Sequence, residues 1–220
     1  MPTRLAFFDL DKTILSVNSG SLWVRREAAL GHLSKWQAAR ALWWLGRYHL
    51  GLASAESMVE EAVQYIGGTS SRDFRQRTLQ FFHEEVRGTY RPGALQTIRH
   101  YRKEHWRLIM LTSSTQYLAD LVAEDLHFDE VLCNRLDTVG DIHTGRVAGR
   151  ICFGAGKLEH AQGAAQRAGA ALREATFYTD SYSDLAVLNA VALPVAVNPD
   201  PRLRRHAHKH RWPTVDWGTA

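Results

Sequence analysis

The chain has 220 residues, 45% of them hydrophobic and 23% charged. That excludes collagen, coiled coil and wholesale disorder and leaves a globular chain able to bury a core. Its length suits one large domain, or one domain carrying a smaller insert. With 27 Lys and Arg against 23 Asp and Glu, the formal charge of +4 is mild and dispersed, so nucleic acid is not expected as a partner.

The two cysteines, Cys133 and Cys152, cannot form a disulfide framework, and no Cys/His spacing reads as a zinc site. A reducing, cytoplasmic setting is the expectation. The first apolar run ends in acids rather than in a small-residue cleavage site, unlike a signal peptide. No apolar stretch reaches the roughly 18 residues of a spanning helix. Arg40 interrupts the Trp-rich segment, and Asn189 with Pro194 interrupt the run 185–197.

In chain order, RLAFFDLD (4–11) is a short apolar run closing on two aspartates, as expected of a buried parallel strand whose carboxyl end meets solvent. Residues 16–87 hold several helical patterns and no convincing strand, which marks a helical insert. A helix is expected after Pro92, and a second strand over 106–115, where the apolar run ends in hydroxyls. Another helix follows Thr112. Residues 128–154 resemble strands and a hairpin turning at Gly140 and Asp141. A helix beginning near Gly156 precedes a third strand at 174–184, which ends in acids, and a fourth at 192–201, stopped by turn residues.

Strands alternating with helices imply an α/β, doubly wound parallel sheet with an inserted all-α segment. In such sheets ligands bind outside the carboxyl ends of the strands. Three of those ends deliver Asp9 and Asp11, Thr112 and Ser113, and Asp180 with Asp184 to one edge, while Lys157 opens a helix. Period-two geometry would aim Asp9 and Asp11 apart, so the chain must leave the sheet between them for both to face one pocket.

The series DLDKT (9–13), LTSS (111–114), GAGKLE (154–159) and TDSYSD (179–184) resembles the four motifs of the haloacid dehalogenase-like phosphatases. The match is to the branch related to phosphoserine phosphatase, in which a helical cap lies between the first two motifs. It spans residues 4 to about 200 and implies a core of residues 1–15 and 88–220 with a cap at 16–87. It further implies a Mg2+-dependent phosphomonoester hydrolase acting on a small phosphorylated metabolite. Asp9 would be the nucleophile forming an aspartyl-phosphate, and Asp11 the general acid and base. Thr112, Ser113 and Lys157 would hold the phosphoryl group. Asp9, Asp11 and Asp180 would hold the metal, supported by Asp184. Thr13 orders the loop or merely caps a turn.

Elementary electrostatics agrees with a cation, since clustered carboxylates repel by about 4 kcal/mol per pair at roughly 4 Å and an effective dielectric near 20. The acid Asp11 separates a phosphatase from dehalogenases of the same superfamily, whose halide leaving group needs no proton. Transfer of the phosphoryl group to an alcohol or within a sugar phosphate would use the same residues. Relatives of this branch carry a glutamate where this chain has Asn18, so the partner for a phosphoserine ammonium is missing at that position.

In the insert, Trp36, Arg40, Trp43 and Arg47 share one side of a helical wheel, opposite Ala38, Ala41, Leu42 and Leu45. Packing of the tryptophans against other cap helices is favoured, with peripheral membrane contact or a surface interaction role as the rival. The tail RRHAHKHRW (204–212) reads as a solvated basic terminus. Its histidines would share a face only in a strand.

Overall fold

The computed structural model describes residues 3–34, 36, 39, 40, 43 and 63–219. In chain order its elements are β1 (Leu5–Phe8), α1 (Ser19–Ala29), α2 (Ser71–Phe81), α3 (Pro92–Lys103), β2 (Arg107–Thr115) and α4 (Gln116–Leu126). These are followed by β3 (Glu130–Asn134), β4 (Leu136–Val139), β5 (Ile142–Val147), α5 (Ala155–Arg167) and β6 (Thr176–Thr179). The last are α6 (Leu185–Leu188), β7 (Leu193–Val197), α7 (Pro201–His210) and β8 (Thr214–Val215). Six strands pair in the order β3-β2-β1-β6-β7-β8, every pair parallel.

The strand β1 lies between β2 and β6, and all four of its residues are buried. Its continuous apolar run follows from this double coverage, because a parallel strand has no solvent face to reserve for polar residues. Ala6 and Phe8 join α3 and α4 in one apolar layer, whereas Leu5 and Phe7 join α5, α6 and α7 in the other. The period of two in β1 thus feeds both layers of a doubly wound sheet.

The turn at Gly140, which has φ +61°, joins β4 and β5 into an antiparallel hairpin. This hairpin clasps the start of α2. The Asp141 carboxylate accepts from the Ser70 hydroxyl at 2.7 Å, the Ser71 hydroxyl at 3.2 Å and the Arg72 amide at 3.0 Å. Next to it the His143 ring, only 2% exposed, shares a 2.7 Å hydrogen bond from Nε2 with the Tyr117 hydroxyl of α4. Its Nδ1 lies 3.0 Å from the Thr69 hydroxyl. Segment 69–72 is therefore anchored to both hairpin and core.

The tail departs from expectation. Residues 201–210 form α7, not a solvated terminus, and Leu203 and Ala207 are fully buried beneath it. Asp200 caps this helix by accepting from the Arg202 and Leu203 amides at 2.7 and 2.8 Å, and Pro201 takes the first turn, where its missing N–H costs nothing. The turn residues that stop β7 therefore also start a helix. In that helix His206 and His210 fall one turn apart and stack with centroids at 4.2 Å. The chain then returns to the sheet as β8, beside β7.

Burial holds the His143 ring below its ordinary value of 6.5, with the Thr69 carbonyl and Asp141 opposing. Below that value the unfolded histidine takes up a proton that the folded one resists, so this contribution to stability is lost as the pH falls through 6.5. Urea midpoints measured across that range should decline toward acid, and His143→Asn should flatten the decline. An unchanged slope would show that the clasp does not carry it.

Candidate active site

The loop after β1 is built by a change of direction. Asp9 stays extended and its amide donates to the Tyr178 carbonyl of β6 at 2.9 Å. The chain then leaves the sheet through Lys12, whose φ of 57° and ψ of −2° lie in the left-handed region, a conformation that costs a non-glycine residue roughly 1 kcal/mol. The Lys12 amide donates to the Val17 carbonyl at 3.0 Å. Thr13 comes back under the strand ends, fully buried. Its hydroxyl oxygen accepts from the Asp180 amide at 2.9 Å and stands 3.4 Å from Asp9 Oδ2 and 3.5 Å from Asp180 Oδ1. Thr13 thus ties the end of β1 to the end of β6.

Lys157, in the first turn of α5 and 2% exposed, is the only ammonium hydrogen-bonded to this cluster of acids among the described residues. Its Nζ donates to Asp9 Oδ1 at 2.8 Å and to Asp184 Oδ2 at 2.9 Å. The Thr179 hydroxyl donates to the same Asp184 oxygen at 2.7 Å. Gly156 permits the approach of α5, because a Cβ there would meet the Ile151 carbonyl oxygen at 2.0 Å. A surface cation would not be placed at a helix N-terminus, where the helix dipole opposes it. The two carboxylates explain its position.

The balance of charge is negative. Burial raises the carboxyls of Asp9, Asp11 and Asp180 above their ordinary range. For Asp9 the Lys157 ammonium opposes this while Asp184 adds to it, and for Asp180 the nearby Asp9 adds to it. The Lys157 ammonium is held in its charged form by Asp184 and Asp9 against its own burial. Asp184 Oδ1 is buried with no hydrogen-bond partner. Lys157 through hydrogen bonds, and Lys12 at longer range on Asp11 and Asp180, serve a set of acids whose carboxyls still stay raised and which needs more positive charge than they supply.

The remaining expected residues are placed as follows. Asp11 accepts from the Ser19 amide at 2.6 Å and so sits at the start of α1. Asn18 caps that helix, its side-chain oxygen accepting from the Ser21 amide at 2.8 Å. The Thr112 hydroxyl oxygen accepts from the Ser114 amide at 3.1 Å. The Ser113 carbonyl accepts from the Asn134 side chain at 2.7 Å. Two contributors escape sequence reasoning. Thr179 reads only as a strand residue, and Arg91 reads only as the residue before the Pro-Gly start of α3.

Of the tryptophan stripe, Trp36 is 77% exposed, which corrects the expectation that it packs within the insert, and Trp43 is 55% exposed. Arg40 lies over the Tyr65 ring at 5.4 Å. Arg47 and the opposite face, Ala38, Ala41, Leu42 and Leu45, lie outside the described residues. Among the described residues no helix is long and apolar enough to cross a membrane.

A sequence model of the haloacid dehalogenase-like hydrolases matches residues 6–189, a span that runs from β1 through the loop bearing Asp180 and Asp184 to the end of α6. The chain belongs to that family. Among relatives, phosphoserine phosphatase SerB1 of Mycobacterium tuberculosis is 27% identical over 99% of this chain and 72% of its own length. The histidinol-phosphatase of Neisseria meningitidis is 22% identical over 97% of this chain and 99% of its own. A protein of unknown function from Bordetella pertussis shares the fold with a TM-score of 0.90, at 26% identity over 99% of this chain and 100% of that one. The family and these homologues identify this haloacid dehalogenase-like hydrolase as a phosphatase.

Removing the ammonium while leaving its acids buried should cost this phosphatase about 3–5 kcal/mol, the usual penalty for breaking a buried ion pair from one side. Chemical denaturation of Lys157→Met should show a loss of that size, and the loss should shrink in Lys157→Met/Asp184→Asn. A surface-like effect below about 1 kcal/mol would mean that the cluster is solvated.

Proposed function

We propose that the protein hydrolyses the phosphomonoester of a small metabolite by attack of Asp9 on phosphorus, with Mg2+ bound beside the nucleophile. The observation that carries this reading is the asymmetric environment of Asp9. Lys157 holds Oδ1, whereas Oδ2 has only the 3.4 Å approach of the Thr13 hydroxyl. One oxygen is fixed and the other is left for an incoming electrophile.

In this reading Asp9 displaces the leaving group in line and becomes an aspartyl-phosphate. Asp11 gives its proton to the departing alkoxide and then takes one from the water that releases phosphate. Its raised pKa, due first to burial, suits an acid that must hold a proton on arrival. Lys157 has three N–H groups and spends two on Asp9 and Asp184, leaving one for a phosphoryl oxygen. The Thr112 hydroxyl accepts from Ser114, so its own proton can be donated outward beside the Ser113 amide.

The donor set fits a hard divalent ion. It is oxygen-only, its carboxyls are raised by burial and mutual repulsion, and it includes the unpartnered Asp184 Oδ1. Mg2+ suits such a set, because that ion keeps several waters and takes only one or two carboxylates. The Asp9 carboxylate, the Asp11 backbone carbonyl and Asp180 would hold it, with Asp184 supporting. When bound, it supplies the positive charge that the phosphoryl oxygens require.

We further assign residues 16–87 the role of a cap over a core formed by 1–15 and 88–220. Relatives bear the names phosphoserine phosphatase and histidinol-phosphatase. Asn18 carries no charge for a phosphoserine ammonium, and its side-chain oxygen is committed to capping α1. An alkyl phosphate other than phosphoserine is the expected best substrate.

Phosphate release from a panel that includes phosphoserine, histidinol phosphate, sugar phosphates and nucleotides tests the reading. Turnover should require Mg2+, vanish in EDTA, and fall by roughly 10⁴ or more in Asp9→Asn. Mg2+ should also raise the melting temperature by mass action, and Asp180→Asn should abolish that rise. Turnover unaffected by EDTA, or retained in Asp9→Asn, would overturn the proposal.

A further inference from the structure

Arg91 lies where the chain returns from the insert to the core, and it is only 7% exposed. The outgoing and returning strands pair there. The Ser16 amide donates to the Thr89 carbonyl and the Arg91 amide to the Ile14 carbonyl, each at 2.8 Å, with Leu15 opposite Tyr90 as an isolated bridge. The guanidinium then reaches in two directions. Its Nε donates to the Lys12 carbonyl at 3.2 Å, and Nη1 donates to the Gly218 carbonyl.

The first contact falls on the strained residue of the DLDKT loop. Lys12 is left-handed and separates Asp11 from Thr13. A non-glycine residue stays in that region only when its surroundings over-determine it. Lys12 is held at both ends, its amide by Val17 and its carbonyl by Arg91. Losing the second contact would let the loop relax about Lys12 and move the Asp11 carboxyl, which directly precedes it.

The second contact depends on the segment after β8. The Trp217 amide donates to the Asn198 side chain at 3.0 Å, and the Trp217 ring stacks on Tyr178 with centroids at 5.2 Å. The Gly93 amide donates to the Trp217 carbonyl at 3.1 Å. A Cβ on Gly93 would lie 2.4 Å from the indole Cδ1, so the segment is seated closely on the start of α3. The Gly218 amide in turn donates to the Asp216 carboxylate at 2.8 Å.

We infer that Arg91 is a positioning residue for Asp11, acting through the Lys12 carbonyl, and that residues 216–218 hold its guanidinium in place. This rests on the acid role of Asp11 proposed above and extends it to a residue and a segment outside the four motifs. A buried guanidinium serving two carbonyls has no carboxylate partner within ion-pair distance among the described residues, and burial disfavours its charge while Asp216 and Asp180 attract it from farther away. Burial of this kind is retained where the fork geometry of Arg fixes two points at once.

The test is a comparison of leaving groups. p-Nitrophenolate departs without a proton, whereas an alkoxide needs one, so loss of the acid penalises alkyl phosphates selectively. Asp11→Asn sets the scale of that selectivity. Arg91→Met should lower kcat/KM, which covers the steps through leaving-group departure and not the later hydrolysis that Asp11 also serves, about tenfold more on the best alkyl substrate than on p-nitrophenyl phosphate, as expected when a catalytic group shifts by a fraction of an ångström. Trp217→Ala should give a smaller effect of the same kind and add little in combination with Arg91→Met. Arg91→Lys, which can keep one of the two contacts, should recover part of the loss.

Each variant is compared as folded protein, with circular dichroism confirming the native state. If Arg91→Met and Arg91→Lys lower both substrates equally, Arg91 only supports the fold and the inference fails while the role of Asp11 stands. If Asp11→Asn itself shows no leaving-group selectivity, the acid assignment fails and the inference falls with it.

Discussion

The structure turns on a single buried ammonium. Lys157 bridges Asp9 and Asp184 out of contact with bulk water, and Asp180 and Asp11 lie close enough to act on the same charges. Unit charges at such separations interact by several kcal/mol, so the arrangement survives only because every element around it is fixed. β1 and β6 are locked by pairing and by Thr13, Gly156 in the first turn of α5 allows close approach, and Thr179 donates to Asp184 Oδ2. The same constraint makes the site reactive. In the proposed reading a set of acids short of positive charge attracts a cation and a phosphoryl centre, and the ammonium that leaves an Asp9 oxygen free directs where the phosphorus would arrive.

Much of this was legible from residues alone, for a physical reason. A central parallel strand has to be apolar throughout and can become polar only where it leaves the sheet, so the break from LAFF to DLD marks both the strand and the site. The acids after β6 are legible in the same way. Lys157 stood out because a cation at a helix start needs an explanation. What escaped depended on contacts far apart in sequence. Arg91 and Thr179 have ordinary local contexts, and their roles come from partners that the fold brings to them. The tail misled because seven basic residues in 204–211 resemble a solvated run, whereas Leu203 and Ala207 at a spacing of four carry the buried stripe of α7. The exposed Trp36 shows the opposite error, an aromatic at helical spacing that does not mark a core.

The site and the insert share their supports. Asp11 accepts from the first amide of α1, Asn18 caps that helix, and the paired linkers at 14–16 and 89–91 meet beside Lys12. On the other side, the hairpin clasp through Asp141 and His143 binds segment 69–72 to α4. Motion of α1 would therefore be felt by Asp11 at once, while the start of α2 is restrained by the core. An active site that must admit a substrate and then exclude water would gain from such a division in the proposed reading, because the side joined to the insert carries the acid and the core side carries the nucleophile.

The most direct test of the central claim is to find where the phosphoryl group goes. The enzyme would be quenched in acid during turnover, reduced with borohydride, which converts an aspartyl-phosphate to homoserine, and mapped by peptide mass spectrometry. The account predicts homoserine at position 9 and at no other aspartate, with Lys157→Met reducing its yield. Homoserine at Asp11 or Asp180, or phosphate carried on a serine such as Ser113, would contradict it.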